Sequence, residues 1–83
     1  MNNDIKEFYK IISSNVKKKR IEKGFSQLDL ALEIGIKSVA FYSNCENLRY
    51  GKHFNLEHLY KLSNALDINI CEFFEGIDSI KKS

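Results

Sequence analysis

Proline and tryptophan are absent from this chain, cysteine occurs only twice, and no apolar run is long enough to span a bilayer. The last absence excludes a membrane-spanning helix. The N-terminus also lacks the basic-then-apolar order of a secretory signal, so we expect a soluble, cytoplasmic protein. Cys45 and Cys71 lack the close spacing of a zinc knuckle or a redox pair and fall inside apolar helical patterns, which predicts two buried free thiols.

The sequence also lacks the patterns of a catalytic or metal site. A chain of 83 residues forms one domain with one small core, which leaves no room for a substrate cleft between domains. It has no glycine-rich phosphate loop and no serine or cysteine with a convincing base and orienting group. His53 and His58 stand without clustered acids or thiols, which favours solvent-exposed or loop-packing histidines over metal ligands. We therefore expect a binding module that is not an enzyme and has no cofactor, metal or small-molecule ligand.

Apolar residues recur at three- and four-residue spacing along the whole chain, and no alternating pattern predicts a strand. A first helix is predicted from Asp4 to Lys23, with Asp4 and Glu7 placed as a capping box. The weak helix formers at 13–15 leave a break in this helix as an alternative. The pattern thus predicts an all-α fold.

Two short helices joined by a turn at Gly35 are the most informative part of the chain. Gly24 stands where a left-handed residue would end the first helix, and Ser26 can cap the second. The apolar face predicted for the second helix comprises Leu28, Ala31, Leu32 and, as a further candidate, Ile34. Ser38 can cap a third helix, in which Tyr42 and Cys45 are three residues apart and are expected to face inward. The unit from Ser26 to Asn47 is typical of a helix-turn-helix, which presents its second helix to the DNA major groove.

The net charge of +2 is too small to indicate nucleic acid by itself, but the charges are unevenly distributed. A basic cluster comprises Lys17, Lys18, Lys19, Arg20 and Lys23. The last quarter of the chain carries the acids Asp67, Glu72, Glu75 and Asp78. Such asymmetry would orient the protein on a phosphate backbone, although on charge alone a solvated lysine-rich helix face explains the cluster better.

Two further helices complete the predicted fold. Residues 48–54 have the composition of a surface loop, after which Asn55 can cap a fourth helix. The inward stripe of that helix comprises Leu59, Leu62 and Leu66. A short fifth helix, from Ile70 to Glu75, is expected to end at Gly76. The predicted organisation is one domain over residues 1–83, with a core of about 12–75, an N-terminal helix extension at 4–12 and a C-terminal tail at 76–83.

Several of these residues stand in the order and nearly the spacing of a known family. The segment 13–27 reads SSNVKKKRIEKGFSQ and is followed by Leu30-Ala31, Gly35 and Cys45-Glu46-Asn47. Together they resemble the phage-repressor and Cro type of helix-turn-helix domain, often called XRE-like, over about residues 16–74. The resemblance implies a compact lambda-repressor-like bundle of about five helices that binds operator DNA as a dimer. Small members of this family include phage Cro-like proteins and the controller proteins of restriction-modification systems.

The resemblance also implies roles for matching residues. Gln27 would contact a phosphate at the start of the second helix, and Ser26 beside it could do the same. Both lie next to the free backbone amides of that helix, a natural site for an anion. The positions at or beside the base-reading residues of the family are Val39, Ala40, Phe41, Ser43 and Asn44. Asn47 and Arg49 match backbone contacts just after the reading helix, with Lys52 a looser addition.

Arg20 and Glu46 match a buried ion pair between the first helix and the end of the third. The alternative is two exposed charges, in which case Arg20 would be one more phosphate contact. Because the family match supplies both partners, we favour the buried pair.

The sequence departs from the family pattern near the reading helix. One extra residue follows Gly35, which leaves two registers of the reading helix that differ by one residue. In the alternative register, Phe41 faces inward and Tyr42 faces the DNA. Leu48 stands where many members have glycine, so Asn47 is expected to close the helix in left-handed geometry.

The expected reading positions hold no arginine or glutamine for bidentate contacts with guanine or adenine. What remains is contact between the apolar residues at 39–41 and thymine methyl groups, adenine reading by Asn44, and Lys37 or Ser38 at the helix start. This favours an A/T-biased operator that is read partly through DNA shape. Lys17 is expected to bind phosphate whatever the sequence.

An apolar stripe near the C-terminus comprises Ile70, Phe74, Ile77 and Ile80, and the resemblance implies that the homodimer forms through this end of the chain. Fraying of residues 77–83 and an interface through Ile5 and Phe8 are the alternatives. The favoured function is a homodimeric transcription regulator that binds double-stranded DNA at a palindromic operator, with half-sites about 34 Å apart. The alternative is a helix-turn-helix module for protein contacts, such as an antitoxin-like partner, with weak or lost DNA binding; the apolar surface at 39–41 favours it.

Overall fold

The computed structural model describes residues 3–80 of the chain. Its four α-helices are α1 (Asn3–Glu22), α2 (Gln27–Glu33), α3 (Val39–Asn47) and α4 (Leu56–Leu66). Its three 3₁₀-helices are η1 (Arg49–Gly51), η2 (Ile70–Phe74) and η3 (Ile77–Ser79). Between residues 3 and 80 there is no strand, so the all-α prediction is confirmed, with η2 as the fifth helix. Residues 1–2 and 81–83 of the predicted domain lie outside the described residues.

α1 continues without a break through its weak helix formers. The Ser13 hydroxyl donates a hydrogen bond to the Cys45 carbonyl at 3.2 Å. The side-chain amide of Asn15 donates to the carbonyls of Phe73 and Glu75, both at 2.9 Å. These tertiary hydrogen bonds offset the low helix propensity of the two residues, and they attach α1 to α3 on one side and to η2 on the other.

The predicted capping box at the start of α1 is wrong. The helix begins at Asn3, so Asp4 lies inside the first turn. A carboxylate in that turn still interacts favourably with the positive end of the helix dipole.

Glycines end α1 and α2, as the sequence predicts. Gly24 and Gly35 adopt φ angles of 80° and 82°, a left-handed conformation that a residue with a side chain rarely takes. The Ile36 N–H then bonds to the Ala31 carbonyl at 2.8 Å, and the same Schellman pattern follows α1. The turn between α2 and α3 is therefore set by local backbone chemistry.

The predicted apolar face of α2 is partly wrong. Leu30, Ala31 and Ile34 are buried, whereas Leu28 and Leu32 are 50% and 59% exposed. Because three- and four-residue spacing fits either side of a helix of seven residues, the contacts with α3 and α4 decide which side is buried.

The predicted cap and inward stripe of α4 are both present. The Asn55 side-chain oxygen accepts from the His58 N–H at 2.8 Å, and His58 Nδ1 accepts from the Asn55 N–H at 3.1 Å. Leu59, Leu62 and Leu66 are buried in the core. No helix between residues 3 and 80 is both long and apolar enough to cross a membrane.

Candidate nucleic-acid interface

The inner face of α3 is anchored in the core. Tyr42 and Cys45 are fully buried, and the Tyr42 ring packs against Phe54 with 5.3 Å between centroids. The Cys45 carbonyl accepts the Ser13 hydrogen bond. Tyr42, and not Phe41, therefore faces inward, which removes the alternative register that placed Tyr42 on the DNA side.

Arg20 and Glu46 form a two-pronged ion pair beside this core. Arg20 Nε and Nη2 donate to the two Glu46 carboxylate oxygens, each at 3.0 Å. The remaining guanidinium nitrogen donates to the Phe25 carbonyl at 2.9 Å, and the Gln27 side-chain amide donates to Glu46 at 3.1 Å. The Arg20 and Glu46 side chains are only 10% and 0% exposed. One carboxylate thus joins the end of α1, the start of α2 and the end of α3.

The ion pair and its burial shift the pKa values of Glu46, Arg20 and the neighbouring Tyr42. Burial acts to raise the pKa of the Glu46 carboxyl, but hydrogen bonds from Arg20 and Gln27 outweigh it and hold that pKa below its usual value. The hydrogen bond with Glu46 raises the pKa of Arg20 despite burial. Burial, together with the Glu46 charge, raises the pKa of Tyr42 far above its usual value. The Tyr42 hydroxyl lies beside the pair but makes no hydrogen bond to any described residue.

The outer face of α3 is turned away from the core. It consists of Val39, Ala40, Ser43, Asn44 and Asn47, which lie zero, one, four, five and eight residues from its start and so share one side of the helix. Val39 is 40% exposed, Ala40 and Asn47 are exposed, and Ser43 and Asn44 are half-buried. We call this set the outer face of α3.

Phe41 does not belong to the outer face. It is half-buried against the core, and its ring meets that of His58 edge-on with 6.0 Å between centroids. The structure thus separates Phe41 from the other expected reading positions.

The two serines at the helix starts are both engaged and exposed. Ser26 Oγ accepts from the Asp29 N–H at 3.0 Å, and Ser38 Oγ accepts from the Phe41 N–H at 3.1 Å. Each hydroxyl keeps its hydrogen for donation to a phosphate oxygen. Lys37 is exposed in the turn beside Ser38.

α3 ends differently from the prediction. Asn47 stays helical, and its side-chain amide donates to the Ser43 carbonyl at 2.9 Å. Leu48 takes the left-handed conformation instead, with φ 56°, so the expectation that Asn47 closes the helix is wrong. The bond to Ser43 is compatible with a helical Asn47, and the left-handed turn falls at the next residue. Arg49 and Lys52 follow and are both exposed.

Two of the five cations in the basic cluster are paired with acids. Lys19 Nζ lies 3.0 Å from a carboxylate oxygen of Glu72, and Arg20 is paired with Glu46. Lys17 and Lys18 are exposed on neighbouring sides of α1. Lys17 therefore remains as a candidate for phosphate contact.

The cysteines are only partly as predicted. Cys45 is buried, but Cys71 is exposed, because only part of η2 packs against the core. Within residues 3–80, no three His, Cys, Asp or Glu side chains come together in a way that could hold a metal ion.

The two alternative dimer surfaces meet in one groove. Ile5 and Phe8 from α1 line it together with Ile77 and Ile80, and the acids Asp4 and Asp78 complete the lining. Ile70 and Phe74, by contrast, pack against the core. Only the distal part of the predicted C-terminal stripe thus shares a surface groove with the N-terminal stripe.

One feature on the N-terminal part of α1 was missed from the sequence. Tyr9 stacks on His53, with 4.0 Å between ring centroids and 20° between ring planes. These two residues are far apart in the chain, and the only sequence signal was an aromatic residue at position 9 beside the apolar stripe.

The comparison with protein families matches residues 16–73, more than half of the chain, to the helix-turn-helix family HTH_3. The chain therefore belongs to this family, the XRE type of helix-turn-helix, and the predicted family is confirmed. HTH_3 is a family of DNA-binding regulatory domains and not of enzymes, so the protein is a DNA-binding regulator of the XRE type. The comparison with curated proteins returned no significant match.

Proposed function

We propose that this regulator acts as a homodimer on a palindromic operator, with the outer face of α3 in the major groove. The observation that carries the proposal is the contrast between the two sides of α3. Tyr42, Cys45 and Glu46 are buried on the inner side. On the outer side every residue is at least partly accessible to solvent. A rigid helix with one free face suits major-groove docking, because base contacts need defined positions.

The chemistry of the outer face favours A/T-rich sequence. Val39 and Ala40 offer apolar contact for thymine methyl groups, and Asn44 has the amide that pairs with adenine. Ser26, Ser38, Asn47, Arg49 and Lys17 are exposed, and we expect them to contact phosphates, which position the protein without reading sequence. We expect part of the specificity to come from DNA shape.

The groove of Ile5, Phe8, Ile77 and Ile80 supports the homodimer. Apolar side chains on a surface favour association, and a second copy presents the same surface in a two-fold dimer. Two copies would place two reading helices about 34 Å apart, one turn of DNA, so the operator would be a palindrome.

Selection of sites from random duplex DNA, combined with sedimentation at several salt concentrations, tests this function. We expect an enriched A/T-biased palindrome, binding that weakens steeply with salt, and a complex of two chains per duplex. No enriched sequence, together with salt-insensitive binding, would overturn the proposal. That result would favour the alternative, a module for protein contacts through the apolar residues Val39 and Ala40.

A further inference from the structure

A cationic groove lies between the N-terminal part of α1 and the turn that follows α3. Its volume is about 340 Å³, and its lining comprises Asn3, Lys6, Tyr9, Leu48, Gly51, Lys52 and His53. Lys6 and Lys52 lie on opposite walls, and no acidic residue is among the seven that line it. An anionic group would therefore meet two cations there without a competing carboxylate.

The two walls of this groove are held together. The Tyr9 ring from α1 stacks on the His53 ring from the turn, and His53 Nδ1 lies 3.2 Å from the Phe54 carbonyl oxygen. Further along α1, Ile12 is buried in the core. The segment of α1 that carries Lys6 and the turn that carries Lys52 are thus held side by side.

The groove lies on the side of α1 that faces α3. Asn15 and Lys19 define one flank of α1, because both bind η2 or the residue after it. Ser13 lies on the opposite flank and bonds to the Cys45 carbonyl near the end of α3.

Three lysines share this second flank. Lys10 and Lys17 follow Lys6 by four and eleven residues, spacings that return to the same side of a helix. All three are exposed. A cationic stripe therefore runs along α1 beside the end of α3.

We infer that this groove binds a phosphate group of the DNA backbone through Lys6 and Lys52. The inference rests on the proposed function and extends it to residues outside the matched family region, which begins at residue 16. Leu48, Gly51 and Lys52 come directly after Asn47 and next to Arg49, the proposed phosphate contacts, so the groove continues that surface. The N-terminal extension of α1 thus adds a sequence-independent contact to those of the helix-turn-helix unit.

Removal of the Lys6 charge tests the inference. The dissociation constant of Lys6→Ala for the selected operator and for a random duplex is measured at several salt concentrations. We expect the variant to weaken both complexes by the same factor and to reduce the slope of log affinity against log salt by about 0.9, the value for one lost phosphate contact. Lys6→Arg should keep the slope of the parent chain.

Lys18→Ala is the matched control. It removes the same charge from the same helix, but Lys18 follows Lys17 by one residue and so points roughly 100° away from the lysine flank. A slope that falls equally in Lys6→Ala and Lys18→Ala would overturn the inference, since net charge alone would then explain it.

A double-mutant cycle with Lys52→Ala asks whether the two lysines hold one phosphate. If they do, the losses of log affinity in Lys6→Ala and Lys52→Ala are not additive in the double variant. Additive losses would overturn the shared site.

A final measurement asks whether the groove binds a free anion instead of DNA. A comparison with the parent chain then separates failure of this inference from failure of the proposed function. Inorganic phosphate is titrated against chloride at constant ionic strength without DNA, and the His53 ring signals are followed by NMR. Saturation at or below millimolar phosphate would assign the groove to a small anion and overturn the backbone contact; no saturation supports it. A parent chain that does not bind DNA defeats the proposed function, whereas binding with an unchanged slope in Lys6→Ala defeats only this inference.

Discussion

At the scale of single residues, Arg20 holds three helix ends together through Glu46 and the Phe25 carbonyl. Arg20→Ala would leave the Glu46 carboxylate buried without its cation, which costs about 3 to 5 kcal/mol. This is a large fraction of the stability of a small domain. We expect the variant to be unfolded or severely destabilised, and to lose DNA binding for that reason, as measured by urea denaturation followed by circular dichroism.

Lys18→Ala is the control for this prediction, because it removes an exposed charge two residues away. Its free energy of unfolding should differ from that of the parent chain by no more than about 0.5 kcal/mol. An Arg20→Ala protein that melts like the parent would show that the pair contributes little to stability.

Glu46 should also make stability depend on pH. Its pKa is lower in the folded protein than its reference value of 4.5, so its contribution is present above that pH and is lost as the pH falls through the folded value. Glu46→Gln removes this contribution. We therefore expect the variant to be less stable than the parent at pH 7, with the difference shrinking at pH 3.

Denaturation of both proteins at a series of pH values measures this difference. Glu33→Gln, at an exposed position, serves as the control. A gap between the parent and Glu46→Gln that stays constant from pH 7 to pH 3 would contradict the assigned role of the carboxylate.

At the scale of elements, the turn after α3 contains a tyrosine in a strained, left-handed backbone conformation. Tyr50 in η1 has φ 57° and is 84% exposed. A left-handed conformation costs a residue with a side chain roughly 1 to 2 kcal/mol, and glycine avoids this cost. Because the exposed ring buries little surface, we expect Tyr50→Gly to raise the free energy of unfolding by about 1 kcal/mol.

Tyr50→Ala is the matched variant for this element. It removes the same ring but keeps the Cβ atom, so it should show no such gain in thermal or urea denaturation. Equal stabilities of the glycine and alanine variants would mean that the backbone conformation of η1 carries little cost.

The outer face of α3 divides its expected roles between reading and positioning. Asn44→Ala should relax the preference at one base pair, at a cost of about 1 to 3 kcal/mol for the preferred base. Lys17→Ala should weaken all sequences alike and lower the salt slope. Binding measured on the selected operator, single-base variants and random duplex separates the two effects. Equal effects of both substitutions on specific and random DNA would rule out this division.

The helices also show where sequence patterns are reliable. Caps and terminators at Ser26, Ser38, Asn55, Gly24 and Gly35 were predicted correctly, because each depends on hydrogen bonds and φ angles within a few residues. The buried side of α2 was predicted only in part. With few residues and leucines on several sides, its orientation depends on the neighbouring helices.

At the scale of the whole molecule, α1 and η3 together form the apolar groove that we propose as the dimer interface. Ile77→Glu places a negative charge in this groove, which Asp4 and Asp78 also line, and burying an unpaired charge between two copies is unfavourable. We expect a shift from dimer to monomer in analytical ultracentrifugation, together with weaker operator binding.

Ile21→Glu is the control for the interface prediction. Ile21 is 58% exposed near the end of α1 and does not line the groove, so its substitution should leave the dimer intact. A dimer that survives Ile77→Glu would direct the search for the interface to another surface.

The sequence by itself determined the helical class, the family and the helix-turn-helix unit. Each of these depends on local spacing, on caps and on the order of a few residues, and a family match over residues 16–73 agrees with them. The inward positions of Tyr42 and Leu62 also followed from periodicity.

Only the tertiary structure decided which residues share a surface. It turned Phe41 towards His58 and off the outer face of α3, exposed Cys71, and brought Tyr9 against His53. Such proximity between distant segments depends on how helices pack, for which local patterns carry no information. The cationic groove of Lys6 and Lys52 exists for the same reason.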